Sequence, residues 1–264
     1  MTASGSRYWD DVARDWASPG TERLWRRYSD ELHARLLSAW LPAAPVERAL
    51  KTDAFEEVAG GLGLHAQLTA AARTVVSVDL SATMLRQARM RHPDLRPVGG
   101  SVQRLPIRDG TIDVIVSTST LDHLDSLDDV AAALAELRRV LRPGGRLILT
   151  LDNRSNPVIA LRSVLPHRWL RRARLVPYKT GANCGRRRLA RLAVAAGLEP
   201  IALGNVMHCP RMPCIVLCRV IERLGSARAK RAMLRCMLAL ERLERWPTRA
   251  LTGYFILLIA VRPQ

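Results

Sequence analysis

Asp79 closes the stretch Thr74-Val-Val-Ser-Val-Asp79-Leu-Ser81, and its chemistry follows from where such a stretch sits. Val75, Val76 and Val78 form a β-branched run that favours a buried strand. A carboxylate at the tip of that strand is costly unless donors reach it. In nucleotide-binding α/β sheets those donors are ribose hydroxyls, because ligands sit at the carboxyl ends of the strands. A second acidic set, Asp53, Glu56 and Glu57, precedes Gly60, Gly61 and Gly63. Glycines let the backbone approach a ligand closely, and Gly61-Leu-Gly63-Leu-His-Ala66 fits a degenerate dinucleotide pattern. The three acids would repel a diphosphate, and they suit a ligand carrying an ammonium or a sulfonium.

Residues able to handle an acceptor gather after other strands. Asp122 and His123 follow Ile112-Asp-Val-Ile-Val-Ser117, with helix capping and a solvent-exposed ring as the alternative reading. Asn153 follows Arg146-Leu-Ile-Leu-Thr-Leu151, with turn formation as the favoured alternative reading, and His208-Cys-Pro-Arg211 follows an expected sixth strand, where it could overhang a pocket. Trp25 and Tyr28, from an aromatic stripe expected to be core, could also wall a pocket, and Tyr254 could reach the acceptor. The Cys209, Cys214 and Cys218 spacing lacks the paired hooks of a zinc site, so core packing and no metal are expected.

The elements that would position these residues can be read in order. Residues 1–45 read as a helical cap, with Trp25, Tyr28, Leu32, Leu36 and Trp40 at three- and four-residue steps. Val46 to Asp53 reads as a first strand running into a glycine loop and a helix. Ser81 offers an N-cap to a helix carrying Met84, Leu85 and Ala88, and Arg96 to Val102 reads as a third strand. Asp125 to Arg142 is an amphipathic helix with acids first and arginines last, as its dipole prefers. Pro143-Gly144-Gly145 has type II turn chemistry. A basic helical segment, 154–198, a helical insertion, 212–246, and a closing strand, 252–262, complete a domain of 46–264 with its core at 46–153. The alternation predicts a doubly wound α/β sheet.

The 264 residues are 48% hydrophobic, which excludes a disordered chain. Five cysteines, no signal-peptide core and no apolar run of membrane-spanning length point to a cytoplasmic protein with reduced thiols. The net charge of +17 is nearly all arginine. Between Arg154 and Leu198 there are ten arginines, Lys179 and no acid, a single-sign run that is ordinarily a solvated surface and otherwise attracts anions.

Three segments together resemble the class I S-adenosylmethionine-dependent methyltransferases of the methyltransferase type 11 group. They are Val-Val-Ser-Val-Asp79-Leu-Ser with Met84-Leu85, Leu105-Pro-Ile-Arg-Asp-Gly-Thr-Ile-Asp113, and Leu137-Arg-Arg-Val-Leu-Arg-Pro143-Gly-Gly-Arg-Leu. The resemblance spans about Ala49 to Asn153 and implies a seven-stranded sheet whose last strand is antiparallel. It implies S-adenosyl-L-methionine as cofactor, with Asp79 on the ribose, Leu80 and Met84 flanking the adenine, Ser101 and Val102 at its edge and Ser117 near the methionine part. The first strand departs from the usual pattern and is similar to a subgroup with Lys51-Thr52-Asp53; Ser101 stands where the family often has an acid.

Methyl transfer needs alignment more than a nucleophile–base triad, so none is demanded. The expected reaction is methyl transfer to a small, anionic or lipid-like acceptor, with peripheral contact to an anionic membrane surface as a further expectation. A nicotinamide-dependent oxidoreductase, resting on Gly61, Gly63 and Ala66, leaves the Leu-Pro and Pro-Gly-Gly segments unexplained. A nucleic-acid methyltransferase lacks an interleaved aromatic and basic module, and nucleic acid is not expected as a partner. A non-catalytic protein with the same fold is the remaining alternative. The sequence names neither the acceptor nor an oligomeric state.

Overall fold

A computed structural model describes residues 3–16, 23–59, 63–165, 169, 172 and 181–264. Gly60 and Gly61, and much of the basic segment between 166 and 180, lie outside the described residues. Seven strands form one sheet in the order β3-β2-β1-β4-β5-β7-β6. They are β1 (Val46–Lys51), β2 (Ala72–Asp79), β3 (Arg96–Gly99), β4 (Ile112–Thr118), β5 (Leu141–Asp152), β6 (Glu199–Val206) and β7 (Phe255–Val261). The first five pair in parallel, whereas β7 is antiparallel to both β5 and β6. This is the Rossmann-like methyltransferase arrangement that the resemblance implies.

The strands read as near-continuous apolar runs because both faces of the sheet are covered. Side chains alternate between two cores, as a period of two requires. Leu50, Ile115, Leu147, Leu149, Ile256 and Leu258 pack on one face with Leu134 and Leu137 of helix α6 (Leu127–Val140). Ala49, Val114, Val116, Ile148, Leu257 and Ile259 face the other side, against Leu36 and Leu37 of α2 (Arg23–Trp40) and Leu64 and Leu68 of α4 (Gly63–Ala71). Leu24, Trp25, Tyr28 and Leu32 of α2 enter a third core with α9 (Arg211–Leu224) and α10 (Ala227–Leu240). Cys209, Cys214 and Cys218 are buried there as free thiols.

Local chemistry sets the element ends. Ser81 Oγ accepts from Met84 N at 3.0 Å and caps α5 (Ala82–Arg91). That hydroxyl also donates to Asp10 of α1 (Ala3–Trp16) at 2.6 Å, docking the N-terminal helix on the tip of β2. Ser126 and Asp129 form a reciprocal capping box on α6. Gly144 takes φ +75°, the left-handed value that the third position of a type II turn demands.

Several boundaries differ from the sequence reading; among them, β5 already begins at Leu141, where the amphipathic helix is expected to continue. The stretch expected to be a glycine loop begins instead with helix α3 (Phe55–Ala59): Asp53 Oδ1 accepts from Phe55 N at 3.1 Å, and Glu56 and Glu57 favour its positive end. Strand β3 stops at Gly99, because the chain turns at Gly100, where a Cβ would come within 2.8 Å of Pro106. The closing strand starts at Phe255 after a short helix α11 (Arg249–Thr252). Helix α7 (Pro157–Val164) and helix α8 (Arg186–Ala195) occupy the ends of the basic segment.

Candidate active site

A cavity of about 250 Å³ opens over the carboxyl ends of β1, β2, β4 and β5. Strand order reverses between β1 and β4, so this is the switch point at which doubly wound sheets bind ligands. Its floor is built from strand ends: Thr52 and Asp53 after β1, Asp79 and Leu80 at β2, Gly100 to Val102 after β3, and Thr118 to Thr120 at β4. The roof comes from Trp9 of α1, a face of α2, and Met207 and Arg211 before and at the start of α9.

Asp79 lines this cavity, and among the described residues no arginine pairs with its carboxylate. Oδ2 accepts from Ala54 N at 2.9 Å and Oδ1 from Ser81 N at 2.8 Å. Burial pushes the carboxyl up to about 6, against the pull of those two amides. Each oxygen keeps a lone pair for a further donor. Met84, Leu80, Ser101 and Val102 lie on the same wall.

The Lys51-Thr52-Asp53 departure is a buried charge cluster. Lys51 Nζ donates to Glu57 Oε2 at 2.9 Å, to Asp53 Oδ1 at 3.2 Å and to Asp53 O at 3.0 Å. Burial works against the ammonium, and the carboxylates of Asp53, Glu57 and Glu56 outweigh it. Glu56 reaches the cavity and pairs with His33 Nδ1 of α2 at 3.1 Å. Burial would raise the Glu56 carboxyl, but His33 and Lys51 hold it below its ordinary value. Burial would lower His33, and Glu56 and Asp30 raise it above its ordinary value.

Arg26, Ser29, Asp30 and His33 all line the cavity and went unseen in the sequence reading. Their spacing, i, i+3, i+4 and i+7, is a polar stripe on one helix face beside the Trp25–Leu32–Leu36 stripe, and that is the signal that could have found them. Ser119 and Met207 are the described non-glycine residues with positive φ, 52° and 62°, and both line the cavity. Such strain collects at functional sites. Thr150 Oγ1 holds Ser119 N at 3.0 Å, and Glu241 holds Met207 N at 3.0 Å and His208 N at 2.9 Å.

Several expected site residues lie on the wall: Asp53, Glu56, Asp79, Leu80, Met84, Ser101, Val102, His123, Trp25 and Arg211. His123 is not a solvent-exposed ring; its imidazole packs against Trp9 with centroids 4.9 Å apart. Six others are turned into the protein. Ser117 is buried and accepts from Thr52 Oγ1 at 2.9 Å, while Thr118 to Thr120 beside it line the cavity. Asp122 is buried and accepts from Ser119 Oγ at 2.8 Å, supporting the strained turn instead of facing an acceptor. His208 does not overhang the cavity: its ring meets Thr252 Oγ1 at 2.8 Å and Glu244 Oε2 at 3.3 Å. Tyr28 donates its hydroxyl to Glu241 at 2.6 Å. Asn153 Nδ2 donates to the carbonyls of Ala250 and Gly253 at 2.7 and 2.8 Å. Tyr254 accepts from Arg162 at 2.9 Å, with Arg211 5.4 Å over its ring. Behind that wall Arg162 pairs with Asp152, whose carboxyl burial and nearby Asp122 push up to about 7.

Residues 57–149 match the methyltransferase domain family. Over those residues the chain carries a methyltransferase domain. It is 38% identical over 148 residues to a demethylmenaquinone methyltransferase of Beutenbergia cavernae, covering 53% of this chain and 54% of that protein. It is 32% identical over 162 residues to the ubiquinone/menaquinone biosynthesis C-methyltransferase UbiE of Ectopseudomonas mendocina, covering 57% of this chain and 56% of that one. The chain thus spans about half the length of these relatives. In fold it is similar to the geranyl diphosphate C-methyltransferase of Streptomyces coelicolor, with TM-score 0.60, 15% identity, and 99% of this chain and 100% of the other covered. A putative methyltransferase bound to the Haloferax volcanii Trm112 activator gives TM-score 0.63 at 16% identity, with 98% and 97% covered.

The residues present fit the domain's cofactor. A carboxylate with spare lone pairs suits the ribose diol, the Leu80 and Met84 side chains suit an adenine face, and Asp30, Asp53 and Glu56 suit a cationic donor. The same three acids oppose the diphosphate of a nicotinamide dinucleotide.

Proposed function

We propose that the chain transfers the methyl group of S-adenosylmethionine to an apolar, ring-hydroxylated small molecule of the demethylmenaquinol class. The observation that carries the reading is the Asp79 carboxylate, held by two backbone amides and lining a cavity whose helical wall adds apolar side chains to its polar ones. Trp25, Leu32, Leu36, Met207 and Phe255 offer a surface for fused rings and an isoprenoid stem. The names of the relatives favour the same acceptor class.

S-adenosylmethionine supplies a methyl carbon activated by sulfonium charge. The chain's part is to bind, align and exclude water. Asp79 would hold the ribose, and Thr118 to Thr120 with Asp53, which line the same cavity, would border the methionine part. His33, whose Nδ1 lies 3.1 Å from Glu56, lines the cavity and in its neutral form would receive a hydroxyl proton from the acceptor, which makes the ring carbon nucleophilic.

Transfer of labelled methyl to reduced demethylmenaquinone with a short isoprenoid tail tests the reading. Label in the naphthoquinone product is expected. Label absent there, with transfer to a purified RNA pool instead, would replace this reading by a nucleic-acid one.

A further inference from the structure

Helix α9 begins at Arg211 on the cavity wall and is apolar on two sides. Its inner side, with Cys214, Ile215 and Cys218, is buried in the core it shares with α2 and α10. On its outer side Met212, Val216, Leu217, Val220 and Leu224 are 37, 55, 47, 47 and 85% exposed. At one turn per 3.6 residues these five occupy a single arc of about 140°. A helix apolar all round is normally buried, and a contiguous exposed apolar face marks a surface that meets something.

Helix α7, which shares that core, carries the same feature. Ile159 of α7 packs in the core that holds Ile215, and Arg162 of α7 shares Tyr254 with Arg211. Val158, Leu161 and Val164 of α7 are 56, 59 and 67% exposed. The charge around these faces has one sign. From Arg211 to Leu240 there are seven basic residues against the single acid Glu222, whose carboxylate is engaged by Leu24 N. Arg219 borders the apolar arc, Arg223 lies just inside its edge between Met212 and Val216, and Arg228, Arg231 and Arg235 are exposed on α10.

We propose that the outer face of α9, with that of α7, docks on an anionic lipid bilayer. The apolar side chains would enter the boundary between headgroups and acyl chains while the arginines meet lipid phosphates, as interfacial helices do. No described helix is long and apolar enough to cross a membrane, so the contact is peripheral. The proposal deepens the reading of a lipid-soluble acceptor, because it brings the Arg211 side of the cavity to the phase where such a molecule resides. The docking itself is tested with no acceptor present.

The probes are vesicles of phosphatidylcholine alone and of phosphatidylcholine with a third phosphatidylglycerol. The full chain is expected to co-sediment with the anionic vesicles and to be released by salt. Val216→Asp/Val220→Asp is expected to weaken partition at least about tenfold, and Arg219→Glu/Arg223→Glu roughly thirtyfold. All four sites are exposed, and unchanged S-adenosylhomocysteine binding by both variants would show the domain intact. Three results would overturn the proposal: no preference for anionic vesicles, equal pelleting of the variants, or a dimer by light scattering that Val216→Asp/Val220→Asp dissolves, which would make the occupant a second copy of the chain. Loss of cofactor binding in the parent would instead count against the proposed function and leave the docking result standing.

Discussion

Burial lifts the Asp79 carboxyl to about 6, so the group that would hold the ribose changes charge within easy reach of titration. Ribose hydroxyls donate to the ionised form, so binding should be strongest above that value and weaken as pH falls through it. Calorimetry with S-adenosylhomocysteine should therefore give affinity nearly flat above about pH 7 and falling toward a limit of about tenfold per unit below about pH 6. Asp79→Asn should lose that dependence; an identical profile in the variant would assign the titration to another group. Lys51 is a different kind of residue, fully buried and shared between Asp53 and Glu57. Lys51→Met leaves two carboxylates without their cation and should cost about 3–5 kcal/mol in urea unfolding. A loss within about 0.5 kcal/mol would mean that the cluster ionises differently. His33→Ala should lower kcat by about 10²–10⁴ while S-adenosylhomocysteine affinity changes little, since its assigned task is proton transfer. An equal loss in cofactor affinity would place His33 on the methionine group instead.

At the scale of elements, strand tips and helix starts fix the site. The tip of β2, the start of α5 and helix α1 meet in one small network. Asp79 accepts from Ser81 N, Ser81 Oγ caps α5, and Asp10 accepts from Ser81 Oγ and Thr83 N. Ser81→Ala removes a cap and an anchor for α1 together and should destabilise by about 1–2 kcal/mol, measured by denaturant unfolding, while the two backbone amides on Asp79 remain. Much of this level was legible: β-branched runs, the Ser81 cap and the turn at Gly144 depend on neighbours in sequence. The inward turn of Tyr28, His208 and Tyr254 was not, because their partners Glu241, Glu244, Thr252 and Arg162 are distant in sequence and the choice of face is made by packing. His33 was missed for the same reason: Glu56, which gives it meaning, belongs to another element. The Leu105–Asp113 and Leu137–Leu147 segments that carried the resemblance serve mainly the scaffold. Arg139 ties Leu105 and Ile107 carbonyls to α6, and Asp113 joins Arg48 N to Arg142.

Over the whole molecule, strand ends build the floor of the cavity at the β1–β4 switch point, and the added helices build its roof. The N-terminal helices are part of this plan: Leu36 and Leu37 complete a sheet core, Trp25 and His33 face the cavity, and Tyr28 is locked to Glu241 beyond α10. Glu241 also holds the strained Met207 segment, so Glu241→Gln should loosen the acceptor roof and raise the acceptor KM more than the cofactor KM. Equal effects on both constants would argue against a roof that serves the acceptor alone. The most direct measurement is calorimetric titration of S-adenosylhomocysteine into the chain and into Asp79→Ala. The account predicts saturable one-site binding by the chain and a loss of roughly a hundredfold in the variant, the worth of two hydrogen bonds to a charged group. Equal affinity in the two proteins, or tighter binding of a nicotinamide dinucleotide than of S-adenosylhomocysteine, would contradict it.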